Sequence, residues 1–156
     1  MYPEAYLEYL AHFHGTRDYF ECHEVLEDYW KENDPKNRDS VWVCLIQLAV
    51  CQYHFRRENT AGALTLIKKT LHRLETNRYQ LVSLGIDDKL LEKQLVDLKR
   101  RLNEERDYTS LTLPIFDSHL IDEVKQLCTD WGVCFGTPSD LTDPDLIDKH
   151  IRRKST

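Results

Sequence analysis

The chain has 156 residues, of which 41% are hydrophobic and 31% are charged, and its formal net charge is −6. This length is typical of a single domain that can bury a sufficient core without disulfides, and the composition excludes disordered and collagen-like chains. The longest apolar run, 41–49, is about half of what a bilayer span needs, and no basic segment opens a signal peptide, so we expect a cytoplasmic protein with no membrane partner.

Apolar residues at helical spacing predict six helices, and short polar side chains mark where most of them begin. The predicted ranges are about 3–14, 19–32, 41–57, 60–84, 88–106 and 118–131. The candidate N-caps are Asp18, Asp39 or Ser40, Asp87 or Asp88, and Asp117 or Ser118. The stretch 108–116 contains a proline and is predicted to be extended.

This pattern predicts an all-α fold. We expect a compact helical bundle of five to six helices with an irregular C-terminal segment, because two glycines and two prolines follow residue 131. Residues 1–148 are predicted to form a single all-helical domain, and residues 149–156 a flexible basic tail.

Charge is unevenly distributed along the chain. Residues 1–40 carry a net −6, residues 41–110 carry +3, and residues 111–156 carry −3. The basic residues of the middle segment raise the alternative of a nucleic-acid surface, but the isoelectric point is near 5.6 and no aromatic side chains lie among them. We therefore interpret them as solvated helix faces and predict no nucleic-acid partner.

The second predicted helix carries the strongest candidate for a functional site. One of its faces places His23, Glu24 and Glu27 between the aromatic residues Phe20 and Trp30. Charged groups beside large aromatic rings are partly desolvated, which costs free energy. Folded proteins retain such groups when they are paired, hydrogen-bonded or bound to a ligand. This pattern predicts a polar site on the second helix.

The third predicted helix offers groups that can face this site. Gln47, Cys51 and His54 are spaced by four and three residues, so they share one helix face. If the two helices are antiparallel, Gln47 or His54 can reach the polar stripe of the second helix. The predicted binding pocket is lined by His23, Glu24, Glu27, Trp30, Gln47 and His54.

Three interpretations of this pocket stay open. In the leading one, it binds a small molecule or a divalent metal, with His23, Glu27 and His54 as ligands of zinc or iron. The motif differs from H-E-x-x-H, because Glu27 stands where the second histidine belongs, and the five cysteines form no C-x-x-C pair. In the second, the same side chains form a buried structural network in a non-catalytic, homo-oligomeric scaffold protein. The third is metal-assisted hydrolysis with Glu24 as general base, although no nucleophile motif accompanies it.

These motifs resemble those of the domain of unknown function 309 proteins. The resemblance rests on the segment DYFECHEVLE at 18–27 followed by Trp30, on LIQLA at 45–49, on YHFRR at 53–57, and on Asn59 with Gly62 and Ala63. It spans about residues 7–75. The Lys149–His150 ending is similar to the tails of related bacterial proteins.

The chain departs from that family pattern at four positions. Glycine is expected at the positions of Arg17, Cys44 and Glu58, and alanine is expected at the position of Cys22. These differences concern packing and turns rather than the polar stripe. The resemblance implies an all-helical fold, a bacterial cytoplasmic setting and a shared His-Glu-x-x-Glu signature, and it implies no particular activity.

Overall fold

The computed structural model describes residues 1–154, with side chains described as far as Ile151. The helices in this range are α1 (Glu4–Ala11), α2 (Tyr19–Asn33), α3 (Val41–Arg56), α4 (Thr60–Thr76), α5 (Arg78–Ser83), α6 (Asp88–Asn103), α7 (Ser118–Asp130), α8 (Pro144–Ile147) and α9 (Lys149–Lys154), and a π-helical turn (His12–Thr16) follows α1. Over the same residues there is no β-strand, and one isolated antiparallel bridge joins Ile86 and Ile115. The all-α prediction is confirmed. No helix in residues 1–154 is long and apolar enough to span a bilayer.

Side-chain caps fix where the long helices begin. Asp18 and Ser40 each accept a hydrogen bond from a backbone N–H two or three residues later, at the starts of α2 and α3. Asp87 and Asp117 cap α6 and α7 in the same way. Each cap satisfies a backbone donor that the first helical turn leaves unpaired. The predicted starts of these four helices are confirmed.

Helix α3 is central and packs between α2 and α4. Near the start of α2, the ring of Phe20 packs on Tyr53 near the end of α3, and Tyr29 packs on Trp42 at the opposite ends of the two helices. These two contacts show that α2 and α3 are antiparallel. Helix α6 packs on α4, and α1 packs on both α2 and α7. The candidate site therefore lies between α2 and the central helix α3.

The fourth predicted helix is divided in two. The sequence predicts one helix over 60–84, whereas α4 ends at Thr76 and α5 begins at Arg78. Asn77 lies between them and is buried, and its side-chain amide donates a hydrogen bond of 2.7 Å to the carbonyl of Asp39. The hydrogen bond from Asn77 to the loop before α3 thus stabilises the break between α4 and α5. It is a tertiary contact that helical periodicity does not encode.

The segment after α7 is irregular, as expected, but it also contains two short helices. Asp143 caps α8, and Lys149–Lys154 form α9 where the sequence predicts a flexible tail over 149–156. Residues 155 and 156 lie outside the described residues. The flexibility of the tail and the domain boundary at residue 148 stay predictions. Together with the break at Asn77, these two helices explain why the helices outnumber the five to six predicted.

Three non-glycine residues in the described range have a left-handed backbone conformation. Their φ angles are 57° at Arg17, 65° at Glu58 and 55° at Glu105. This region favours glycine, because a Cβ atom crowds the following carbonyl oxygen. Two of the three, Arg17 and Glu58, are positions where the family resemblance predicts glycine. The structure therefore gives the physical reason for that expectation.

Candidate functional site

The predicted polar residues of α2 form a ladder along one side of the helix. His23 Nε2 lies 2.5 Å from one carboxylate oxygen of Glu27, and Lys31 Nζ lies 2.9 Å from the other. Glu24 is farther away, with its carboxylate 3.6 Å from His23 Nδ1, beyond hydrogen-bond distance. The close contacts join residues one helical turn apart, as the i to i+4 spacing predicts.

The ladder is half-buried. The side chains of His23 and Glu27 are 31% and 30% exposed, and that of Glu24 is 41% exposed. Solvent therefore reaches both carboxylates, and within the described residues no α3 side chain forms an ion pair with them. This arrangement differs from the buried His/Glu network of the second interpretation. Whether the protein is a homo-oligomeric scaffold stays a prediction.

His23 also lines a groove between α2 and α3, which we call the His23 groove. Its volume is about 250 Å³, and it is partly open to solvent. The Phe20 ring centroid lies 6.2 Å from that of Tyr53 and 6.3 Å from that of His23. The lining residues are Tyr19, Phe20 and His23 of α2, Val50, Tyr53 and His54 of α3, and His150 of α9. The groove thus combines aromatic walls with three imidazole rings.

His54 is held in one tautomer by the start of α4. The Asn59 side-chain oxygen accepts the N–H of Gly62, so the Asn59 amide nitrogen is the atom that lies 3.2 Å from His54 Nδ1. Because that nitrogen donates, Nδ1 accepts and the ring proton resides on Nε2. Burial lowers the pKa of His54, and the nearby Arg57 and His150 lower it further. His54 therefore offers a neutral N–H donor.

The first residues of α9 hold the C-terminal helix against the groove. The His150 backbone N–H donates to the Tyr53 hydroxyl at 3.1 Å, and the two rings meet edge-on at 5.2 Å. Lys149 Nζ lies 2.6 Å from a carboxylate oxygen of Asp18 and 3.0 Å from one of Glu21. The Lys149–His150 ending, which is similar to related bacterial tails, is therefore bound to the ends of α2 and α3.

Gln47 does not face α2. Its side-chain oxygen lies 3.5 Å from Nη1 of Arg73 on α4, and the thiol of Cys51 one turn later donates to the Ala63 carbonyl on the same helix. Gln47 and Cys51 are thus turned toward α4, whereas His54 lines the groove with Tyr53, which meets α2. Because α3 is apolar on most sides, its residue pattern could not select between these faces.

Trp30 lies away from the groove. Its indole N–H donates to the carbonyl of Asn37 at 3.0 Å, in the loop between α2 and α3. His23 and Trp30 are seven positions apart, which corresponds to about 10 Å along a helix axis. The structure therefore does not bring Trp30 to the predicted pocket, and its contact stabilises the loop instead.

The predicted metal ligands do not converge. His23 and Glu27 are in contact, but His54 is hydrogen-bonded to Asn59. Throughout the described range, no three histidine, cysteine, aspartate or glutamate side chains are grouped closely enough to hold a metal ion. This donor set therefore does not fit a zinc or iron centre, and Glu24, the predicted general base, has no such centre beside it.

Five lining residues were not in the predicted pocket, namely Tyr19, Phe20, Val50, Tyr53 and His150, although Phe20 was predicted to flank the polar residues of α2. The sequence did contain a signal for Val50 and Tyr53. Tyr53 and His54 follow Val50 by three and four positions, so the three residues share one helix face. His150 is separated from Tyr53 by 97 residues, so only the tertiary structure reveals its role.

Two comparisons bear on the identity of the chain. The family model described as "Domain of unknown function (DUF309)" matches residues 6–66. The chain is also 44% identical over 156 residues to the uncharacterized protein YpuF of Bacillus subtilis (strain 168), an alignment that covers 100% of this chain and 90% of YpuF. The chain belongs to the DUF309 family. No solved structure matches it.

The DUF309 match contains nearly the whole groove. Residues 6–66 include every lining residue from α2 and α3. Only His150 lies outside this range, and the similarity to YpuF extends over that part of the chain as well. The groove is therefore built mainly from the segment that defines DUF309.

Proposed function

We propose that this DUF309 protein is a binding protein for a small, planar and largely apolar molecule, which it holds in the His23 groove. The observation that carries the proposal is the pair of rings of Phe20 and Tyr53, which come from different helices and meet at the groove with centroids 6.2 Å apart. Ligand pockets are typically walled by apolar and aromatic side chains, with a few polar groups that fix orientation. The imidazoles of His23, His54 and His150 are polar groups of this groove.

The dimensions and the donors of the groove restrict the ligand. A volume of about 250 Å³ is near the lower end of ligand pockets, which start at roughly 300 Å³. It therefore suits a molecule with one ring. The lowered pKa of His54 keeps its imidazole neutral, so its N–H can donate to a carbonyl oxygen of the ligand. We infer a single flat ring that carries a hydrogen-bond acceptor.

Titration with benzamide tests this proposal. We expect saturable NMR shifts of the ring resonances of His23, Tyr53 and His54, because all three line the groove. Cyclohexanecarboxamide has the same amide but no flat ring, and we expect it to bind about two- to tenfold more weakly, since stacking on aromatic side chains is lost.

Substitutions locate the binding. Phe20→Ala removes one aromatic wall and should weaken benzamide binding at least about tenfold. Tyr79→Ala is the matched control, because Tyr79 is an exposed aromatic residue on α5 outside the groove, and it should leave the affinity unchanged. The absence of saturable shifts at millimolar benzamide, or equal binding by the Phe20→Ala variant, would overturn the proposal.

A further inference from the structure

A second cavity lies beside the end of α3 and the end of α6, and we call it the Arg56 cavity. Its volume is about 520 Å³, roughly twice that of the His23 groove. Its buried lining includes Phe55, Arg56 and Leu102, and its exposed lining includes Glu58, Glu105 and Asp107. The cavity therefore has a buried cation at one side and carboxylates where it meets solvent.

Arg56 is a buried cation whose partners are all neutral. Its Nη1 donates to the carbonyl of Arg17 at 2.6 Å and to the hydroxyl of Ser139 at 3.2 Å, and its Nη2 donates to the carbonyl of Leu146 at 3.0 Å. In the part of the chain that the structure describes, no carboxylate is paired with it and its Nε–H has no acceptor. A buried charge is normally compensated by an opposite charge. Arg56 is 5% exposed and lacks that compensation.

A second buried guanidinium belongs to Arg17, whose backbone carbonyl accepts a hydrogen bond from Arg56. Arg17 is 2% exposed, and its donors meet only the backbone carbonyls of Phe13, Leu111 and Thr137. The ring of Tyr19 stacks on the Arg56 guanidinium and stabilises it in part. Arg56 lines the cavity and has no carboxylate partner in the described residues, so it favours an anionic group there.

The exposed lining of the cavity carries three carboxylates and one cation, Arg106. Glu58, Glu105 and Asp107 form no ion pair with any residue of the described chain, whereas Arg106 beside them lies 3.4 Å from Glu104. Glu58 and Glu105 are also two of the residues with left-handed backbone. Strained conformations of this kind cluster at ligand sites, where other requirements outweigh their energetic cost. These three carboxylates favour a positively charged group at the mouth of the cavity.

We propose that the Arg56 cavity binds a small zwitterion of the α-amino-acid class with an apolar side chain. Its carboxylate lies toward Arg56, because a guanidinium binds carboxylates through charge-assisted hydrogen bonds. Its ammonium group lies toward the carboxylates of Glu58 and Glu105, and its side chain packs on Phe55 and Leu102. This site is separate from the His23 groove and does not depend on the function proposed for it.

Calorimetric titration with matched compounds tests the assignment. We expect L-leucine or L-phenylalanine to bind saturably. The compounds 4-methylpentanoate and 3-phenylpropanoate lack the ammonium group, and isopentylamine and phenethylamine lack the carboxylate. Each truncated compound should bind at least about tenfold more weakly than its parent amino acid, because one of the two charge contacts is lost.

Variants at the mouth of the cavity provide the structural test. Glycine suits the backbone at Glu58 and Glu105, so the double variant Glu58→Gly/Glu105→Gly is expected to fold. It should weaken binding of the amino acid about tenfold and leave binding of the ammonium-free acid unchanged. Glu32→Gln removes an exposed carboxylate on α2, away from the cavity, and should change neither affinity.

Three results would overturn the proposal. They are the absence of saturable heat with both amino acids at millimolar concentration, equal affinity for an amino acid and its ammonium-free counterpart, and unchanged affinity in the double variant. Phe20→Ala, which alters only the His23 groove, should leave amino-acid binding intact. Loss of binding in that variant would also contradict a separate site.

Discussion

The guanidinium carbon of Arg56 lies 4.5 Å from the centroid of the Tyr19 ring. Tyr19 lines the His23 groove and Arg56 lines the Arg56 cavity, so this contact is part of a wall between the two proposed sites. The Tyr19 hydroxyl is also hydrogen-bonded to that of Tyr108, which lines the cavity. Replacement of Tyr19 is therefore expected to disturb both sites at once.

Arg56 is expected to contribute strongly to stability. Arg56→Leu removes three hydrogen bonds, to the carbonyls of Arg17 and Leu146 and to the Ser139 hydroxyl, and leaves the Arg17 carbonyl with only the N–H of Tyr19. We expect the free energy of unfolding to fall by about 2–4 kcal/mol. Urea denaturation measures this change. Arg106→Leu, at a site that is 65% exposed, should alter stability by no more than about 0.5 kcal/mol. Equal effects of the two variants would contradict the role assigned to Arg56.

Glu58→Gly is expected to stabilise the protein. Glu58 has a φ of 65°, a conformation that costs a residue with a Cβ atom roughly 1–2 kcal/mol. Glycine removes this cost but gives the unfolded chain more freedom, which offsets about 0.4–1 kcal/mol. We therefore expect a net gain of about 0.5–1 kcal/mol in the free energy of unfolding, measured by urea denaturation. Glu58→Ala keeps the Cβ atom, so a similar gain there would show that the backbone is not the cause.

His14 is expected to make stability depend on pH below about 6.5. The residue is fully buried, with Nδ1 donating to the carbonyl of Leu10 and Nε2 accepting the N–H of Leu113. Burial lowers the pKa of His14 from 6.5 to about 4. As the pH falls, the unfolded chain binds this proton first, so the stability contribution is complete above pH 6.5 and is lost between about 6.5 and 4. The loss should be on the order of 3 kcal/mol.

Denaturation at a series of pH values measures this loss. The variant His14→Gln lacks the titrating group, so its stability should fall less steeply between pH 6.5 and 4 than that of the unaltered protein. His119→Gln changes an exposed histidine on α7 and should keep the steep dependence. An unchanged pH slope in His14→Gln would refute the prediction.

Lys149 is expected to hold α9 in place. Lys149→Met removes the contacts with Asp18 and Glu21, at a side chain that is 21% exposed. We expect lower heteronuclear NOE values for residues 149–151 and a loss of about 1 kcal/mol or less in the free energy of unfolding. Lys36→Met, in the exposed loop after α2, should change neither quantity. Low NOE values for 149–151 in the unaltered protein would instead support the flexible tail that the sequence predicts.

Local features of the fold were predictable because they depend on neighbouring residues. The caps Asp18 and Ser40 and the contact between His23 and Glu27 follow from spacings of two to four positions. For these features one helical turn contains all the information that the prediction needs. The family resemblance predicts glycine at Glu58, where the structure has a left-handed backbone.

Features that depend on distant contacts were not predictable in this way. The break at Asn77 is satisfied by Asp39, and His150 contacts Tyr53, which is far away in sequence. Gln47 faces α4. Its orientation could not be predicted because α3 is apolar on most sides, so the sequence of this helix allows more than one orientation. The absence of a nucleic-acid partner and the cytoplasmic location stay predictions.

The anchoring of α9 by Lys149 affects how the protein should be prepared for experiments. Because Lys149 and His150 fasten the last helix to α2 and α3, an affinity tag or surface linker fused after Thr156 would pull directly on the segment that borders the groove. Met1 is fully exposed and offers the better point of attachment for purification or immobilisation.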